Sequence, residues 1–294
     1  LSRVIAVRVL IEKEQDRVMA VDKEKKQSFN EEVGQLKQKV EEVKKRIAAL
    51  EATKEDVNLN KVKASSLYVD LITIYCAMTD LSLSLLGYKN ESYLDVGRKS
   101  LYKAIIILEG IVSNFIDIPL GENYEKLQDL KDYSDAERLR LMRKIGYAVS
   151  LLEDRYGKNS KWKWSFVEIE GRYATIAKNL FDFRTYQEKN DPRLEGFDER
   201  NDYLVLVKDL LNRVSKRYRE KYELTDHLQD DMKKAIDYLR ALKRIHILFN
   251  EASQVQNITK QIELWSQKHE ADMKAKEKRL KQMDRESLRK GGAK

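Results

Sequence analysis

The chain has little of what turns or staples a backbone. Its 294 residues contain two prolines, eleven glycines and one cysteine. So few breaking residues argue against a fold of many short strands and tight turns, and favour long helices. The lone Cys76 excludes an intrachain disulfide framework and fits a reducing compartment. No opening segment reads as a signal peptide, and a chain beginning at Leu1 leaves room for sequence upstream.

Long uncharged apolar runs are also missing. The longest apolar stretch, Leu67 to Tyr88, carries Asp70 and Asp80, each costly in a lipid interior. It reads as a buried helix, and no transmembrane segment is expected. The expectation is a soluble, cytoplasmic protein.

Signatures of chemistry are equally scarce. The three histidines, His227, His246 and His269, stand 19 and 23 residues apart, which gives no HExxH pair and no close ligand spacing. His246 falls on an apolar seam and reads as a hydrogen-bonded core residue. Cys76, inside an apolar helix, reads as a small hydrophobe. No glycine-rich phosphate loop and no calcium loop of EF-hand spacing occurs. The sequence therefore predicts no catalytic residue, no metal and no cofactor, and a protein that is not an enzyme.

What the chain does have is charge and helical period. Net charge is +8, unevenly spread. Residues 1–60 hold thirteen basic and twelve acidic side chains, residues 61–265 hold 34 and 32, and the last 29 hold ten and five. The basicity belongs mostly to the tail. Acidic residues interrupt it and no aromatic follows Trp265, so nucleic-acid binding is weakly supported and a solvated helix end is the simpler reading.

Apolar residues recur at three-four spacing in every long segment. Val33, Leu36, Val40, Val43, Ile47 and Leu50 form an a/d seam whose β-branched a positions suit a two-stranded coil. Upstream, Val4, Val7, Ile11, Val18 and Val21 form another seam, one residue out of phase. Helix starts are expected near Ser92 and at Ser134, where Glu137 completes a capping box. Pro119 with Gly121, and Pro192 with Gly196, mark breaks. The stretch GKNSKWKWSF at 157–166 places Trp162 and Trp164 among lysines. Trp162 begins a seam continuing through Phe166, Ile169, Tyr173, Ile176, Leu180 and Phe183, so a core role outweighs an exposed binding platform. After Tyr222 neither glycine nor proline occurs until Gly291, and the pattern permits one helix of roughly 60 residues, about 90 Å long.

No 34-residue repeat supports a helical-repeat solenoid. The sequence thus predicts an all-α protein: an elongated helical bundle with long, coiled-coil-like terminal helices. Residues 1–61 form an N-terminal arm, 62–250 the bundle and 251–294 a C-terminal arm with the basic tail. The expected function is a structural or scaffold protein that self-associates through coiled-coil helices, as a filament or assembly subunit. The residues expected to carry association are Val33, Leu36, Val40, Val43, Ile47 and Leu50, with Val255, Ile258, Ile262 and Trp265 in the C-terminal arm. The partner is a second copy or another helical protein. The alternative is an adaptor whose basic helices meet a protein, an anionic membrane or nucleic acid, with the balanced first 60 residues counting against a peripheral membrane contact.

Overall fold

The computed structural model describes the backbone of residues 2–225 and 227–291, and the side chains of 22–225, 227–279, 281 and 282. The Val4–Val21 seam and the tail residues Leu280, Met283 and Leu288 have side chains outside that set. Among the described residues all regular structure is helical, as the period predicts, in ten helices. The chain divides into two units, and the division passes through two of the helices.

Unit 1 comprises Leu1–Ile111, Asp129–Tyr133 and Arg140–Phe166. Helix α1 (Ser2–Ala52) turns through residues 53–56 into α2 (Val57–Leu86), which packs back along it. Val40 and Ile47 of α1 are buried with Leu67, Leu71, Tyr75 and Met78 of α2. Helix α3 (Glu91–Glu109) packs on another side of α2. Its cap is Asn90, whose side chain accepts the Ser92 N–H at 3.1 Å. The expected start near Ser92 is right, but the capping oxygen comes from the asparagine two residues earlier.

α2 is the described helix long and apolar enough to cross a membrane. Both of its central carboxylates have partners within the unit: Asp70 meets Lys144 at 2.8 Å and Asp80 meets Arg155 at 2.6 Å. Cys76 is buried beside them, and burial pushes its thiol up to about 11. A thiol so protonated is a packing residue rather than a nucleophile.

Unit 2 comprises Val112–Gln128, Ser134–Leu139 and Val167–Lys294. It holds the short α4 (Tyr124–Gln128) and the first turn of α5 (Asp135–Tyr156), whose remainder belongs to unit 1. The expected capping box is present: Glu137 Oε2 accepts the Ser134 N–H at 2.9 Å, and Ser134 Oγ accepts the Glu137 N–H at 3.3 Å. Helix α6 (Lys163–Leu180) contributes all but its first turn, followed by α7 (Phe183–Glu188). Next come α8 (Phe197–Leu224), α9 (Gln229–Leu248) and α10 (Ala252–Gly291).

The α6 seam is the core of this unit, with Ile169, Tyr173 and Ile176 fully buried. Gly171 lets Tyr218 and Tyr238 approach α6. A Cβ there would stand 2.8 Å from the Tyr218 ring and 2.9 Å from the Tyr238 hydroxyl.

The single long helix that the pattern permits after Tyr222 is instead broken twice. α8 ends at Leu224, and α9 ends before Asn250, which takes φ +56°. Asparagine tolerates that left-handed conformation better than most residues, so it can end a helix without glycine. Glu251 fixes the turn, because its carboxylate takes Lys208 at 2.6 Å on one oxygen and His246 Nδ1 on the other. Burial opposes its ionisation, but these two partners hold Glu251 below the usual carboxylate range. His246 is therefore a hydrogen-bonded, buried histidine, as its seam position implies.

Candidate functional site

The predicted association residues all belong to packed helices. Within unit 1, Val33, Val40 and Ile47 are buried, while Leu36, Val43 and Leu50 are partly buried against the α1–α2 cluster. Within unit 2, Ile258 and Trp265 are buried and Val255 and Ile262 half-buried, on a helix that packs against α9. The Arg219 guanidinium lies 4.9 Å from the Trp265 ring centre. These seams already have apolar partners inside one chain.

The tryptophan stretch is covered as well. Trp162 is half-buried, with the Arg98 guanidinium 3.8 Å above its ring and the Tyr156 ring 6.1 Å away. Trp164 is half-buried with the Lys163 ammonium 4.5 Å from its ring. One face of each indole is occupied by a cation of its own chain, which leaves little of an open stacking platform.

The most unusual polar arrangement lies in unit 2, at the loop that begins at Val112 and leads to α4. Phe115, at 70% exposure, is the most exposed of the large apolar side chains described in that unit. A single exposed apolar residue is ordinary. What sets this one apart is how firmly the backbone around it is held. Asn179 Nδ2 donates to the carbonyls of Ser113 (2.6 Å) and Phe115 (3.1 Å). Lys178 Nζ donates to the carbonyls of Ile116 (2.9 Å) and Ile118 (3.2 Å), and to Asn179 Oδ1 (3.2 Å). Asn123 Oδ1 accepts the Ser113 N–H at 3.2 Å, and Ser113 Oγ accepts the Phe115 N–H at 3.2 Å. Arg244 pairs with Asp117 on the outside.

The anchors are themselves buried: Lys178 is 1% exposed, Asn179 4% and Asn123 4%. Burying an ammonium without a carboxylate in contact is expensive. Burial lowers the Lys178 pKa to about 8; Arg244 pushes the same way and Asp117 partly opposes them. Loop carbonyls need partners, but water usually serves on a surface. Here a buried cation serves, and the backbone bearing Phe115 is held by side chains of its own unit.

The described residues also line two concave features. In unit 1 a mostly apolar groove of about 310 Å³ is lined by Leu50, Ala64, Ile107 and the exposed Val57 and Ile106, with Glu51, Asn60 and Lys61 among them. In unit 2 a cleft of about 300 Å³ and mixed character lies between Tyr222, His227 and the α10 residues Asp272, Met273, Lys276 and Arg279. Its one carboxylate, Asp272, already accepts the Tyr222 hydroxyl at 2.8 Å and Lys268 at 2.8 Å. No group of three or more histidine, cysteine or acidic side chains among the described residues could hold a metal.

The sequence profile of the TP0443 family matches residues 25–273, a span that takes in the Phe115 loop, all its anchors and the groove. The chain belongs to the TP0443 family. No curated protein and no solved structure matches it.

In this TP0443 family member, sequence reasoning missed the loop because its signal is split. Phe115 and Ile118 sit in a three-four apolar pattern continuous with α3, which makes them look like core. Lys178 and Asn179 sit near the end of an apolar helix 60 residues later, where a lysine ordinarily complements the carbonyls of its own helix. In the sequence the signal is a lysine on a helix face otherwise made of Val167, Gly171 and Ala174.

Proposed function

We propose that this chain is a non-catalytic helical scaffold protein that works by docking another protein, and that the Phe115 loop is the docking element. The observation that carries the reading is the pairing of an exposed aromatic with a backbone already immobilised by three buried polar side chains. Docking normally has to order the loop it uses, and prior immobilisation removes that cost. Aromatic side chains are the usual anchors of protein interfaces, because they bury a large area while freezing few torsions. The coiled-coil seams contribute less to this reading, since their apolar surface is engaged within the chain.

The test is a photo-crosslinking benzoylphenylalanine placed at residue 115 of the full chain in cells, with the same group at exposed Leu264 as control. The expected result is a discrete adduct from position 115 alone. Its protein component, identified and purified, should bind the unmodified chain, and Phe115→Ala should weaken that binding tenfold or more. Identical adduct patterns from both positions, or rebuilt binding indifferent to Phe115→Ala, would remove the loop from the docking role.

A further inference from the structure

We infer that the partner is a second copy of this chain, whose unit 1 groove receives Phe115. The inference rests on the docking role of the loop and names its occupant. One chain carries two unpartnered apolar features of opposite shape. The loop offers a single convex aromatic on a fixed backbone. The groove is concave, mostly apolar, and flanked by the exposed side chains of Val57 (46%) and Ile106 (54%).

The groove is large enough. A volume of about 310 Å³ is about twice the roughly 150 Å³ of a cavity that holds one benzene ring, so it takes a phenyl ring with room for a neighbouring side chain of the loop. The chemistry agrees too. Leu50, Ala64, Ile106 and Ile107 supply aliphatic contacts, and of the polar side chains that share the lining Glu51 already accepts the Tyr68 hydroxyl and Asn60 already donates to the Glu55 carbonyl. At the rim, the Lys61 ammonium makes a long 3.4 Å bond to the Gly110 carbonyl. It retains hydrogens for a backbone acceptor on the incoming loop.

A contact in which each copy offers a knob and receives one joins different surfaces. It propagates as a ring or a filament, or closes as a reciprocal pair, according to the rotation it imposes.

The experiment uses the full chain with Cys76→Ala, so that introduced cysteines are the only thiols. One preparation carries Asn114→Cys, next to the intact Phe115. The other carries Thr53→Cys, at a polar position of the groove lining. Mixed and mildly oxidised, the two should give a disulfide-linked product of one copy of each. Adding Phe115→Asp to the first preparation, or Ile106→Arg to the second, should abolish it. Both added positions are exposed, and circular dichroism checks that each variant is folded.

Self-association of the unmodified chain, measured by sedimentation velocity over a concentration series, should weaken by about tenfold or more with Phe115→Asp. Linkage within the Asn114→Cys preparation alone would show loop meeting loop and overturn the groove. A chain that sediments as a monomer at every concentration and gives no mixed product would overturn the second copy as occupant. That outcome leaves the docking role intact if position 115 captures a different protein in cells, so the two failures are distinguishable.

Discussion

Lys178 gives the sharpest quantitative expectation. Its ammonium is almost wholly buried and its pKa is lowered to about 8, against about 10.4 for an unperturbed lysine. Between those values the unfolded chain holds a proton that the folded chain has released, so stability rises with pH across that window. Below pH 8 the full cost of burying the charge is present, roughly 3 kcal/mol for a shift of this size. From pH 7 to pH 10 the native protein should recover about 2 to 3 kcal/mol of it.

Lys178→Met removes the titration and keeps the length of the side chain. It also strips the Ile116 and Ile118 carbonyls of their donor, at about 1–3 kcal/mol each. At pH 7 the two effects nearly offset, and the variant should be close to native or modestly weaker. At pH 10 the native lysine is neutral but still donates, and the variant should trail by a further 2 to 3 kcal/mol. The assay is urea unfolding at both pH values in a Trp162→Phe, Trp164→Phe background, where Trp265 reports on unit 2. Other titrations cancel in the difference between native and variant. A difference that stays flat or shrinks from pH 7 to pH 10 would refute the buried, depressed lysine and with it the rigid loop.

Three further outcomes follow from the packing. Ile47→Ala should destabilise unit 1 by about 2–4 kcal/mol in denaturant titration, because Ile47 is buried against α2; no loss would mean that α1 does not pack there. Asn250→Gly should leave stability within a few tenths of a kcal/mol, whereas Asn250→Val should cost about 1–2 kcal/mol at its positive φ; equal effects in thermal melts would contradict the left-handed break. Gly171→Val should lose about 1–3 kcal/mol or more by forcing Tyr218 and Tyr238 away, read as a lower melting temperature and altered near-ultraviolet tyrosine dichroism.

Helix content, the Ser134 capping box, the burial of Cys76 and His246 and the apolar seams were legible in the sequence. Each depends on residues within a few positions of one another, where backbone sterics and the 3.6-residue period act directly. Partnership was not legible. Nothing local distinguishes a Val40–Ile47 seam that meets a second chain from one that meets α2 of its own chain, because both bury the same stripe. The helix break at Asn250 was hidden for a related reason: asparagine permits a left-handed turn without demanding one, and Lys208 and His246 settle it through Glu251. The candidate site lay furthest from view. Lys178 and Asn179 hold carbonyls some 60 residues away in sequence, and a carbonyl is the same group in every residue. Which one a side chain reaches is decided only when the helix and the loop pack together.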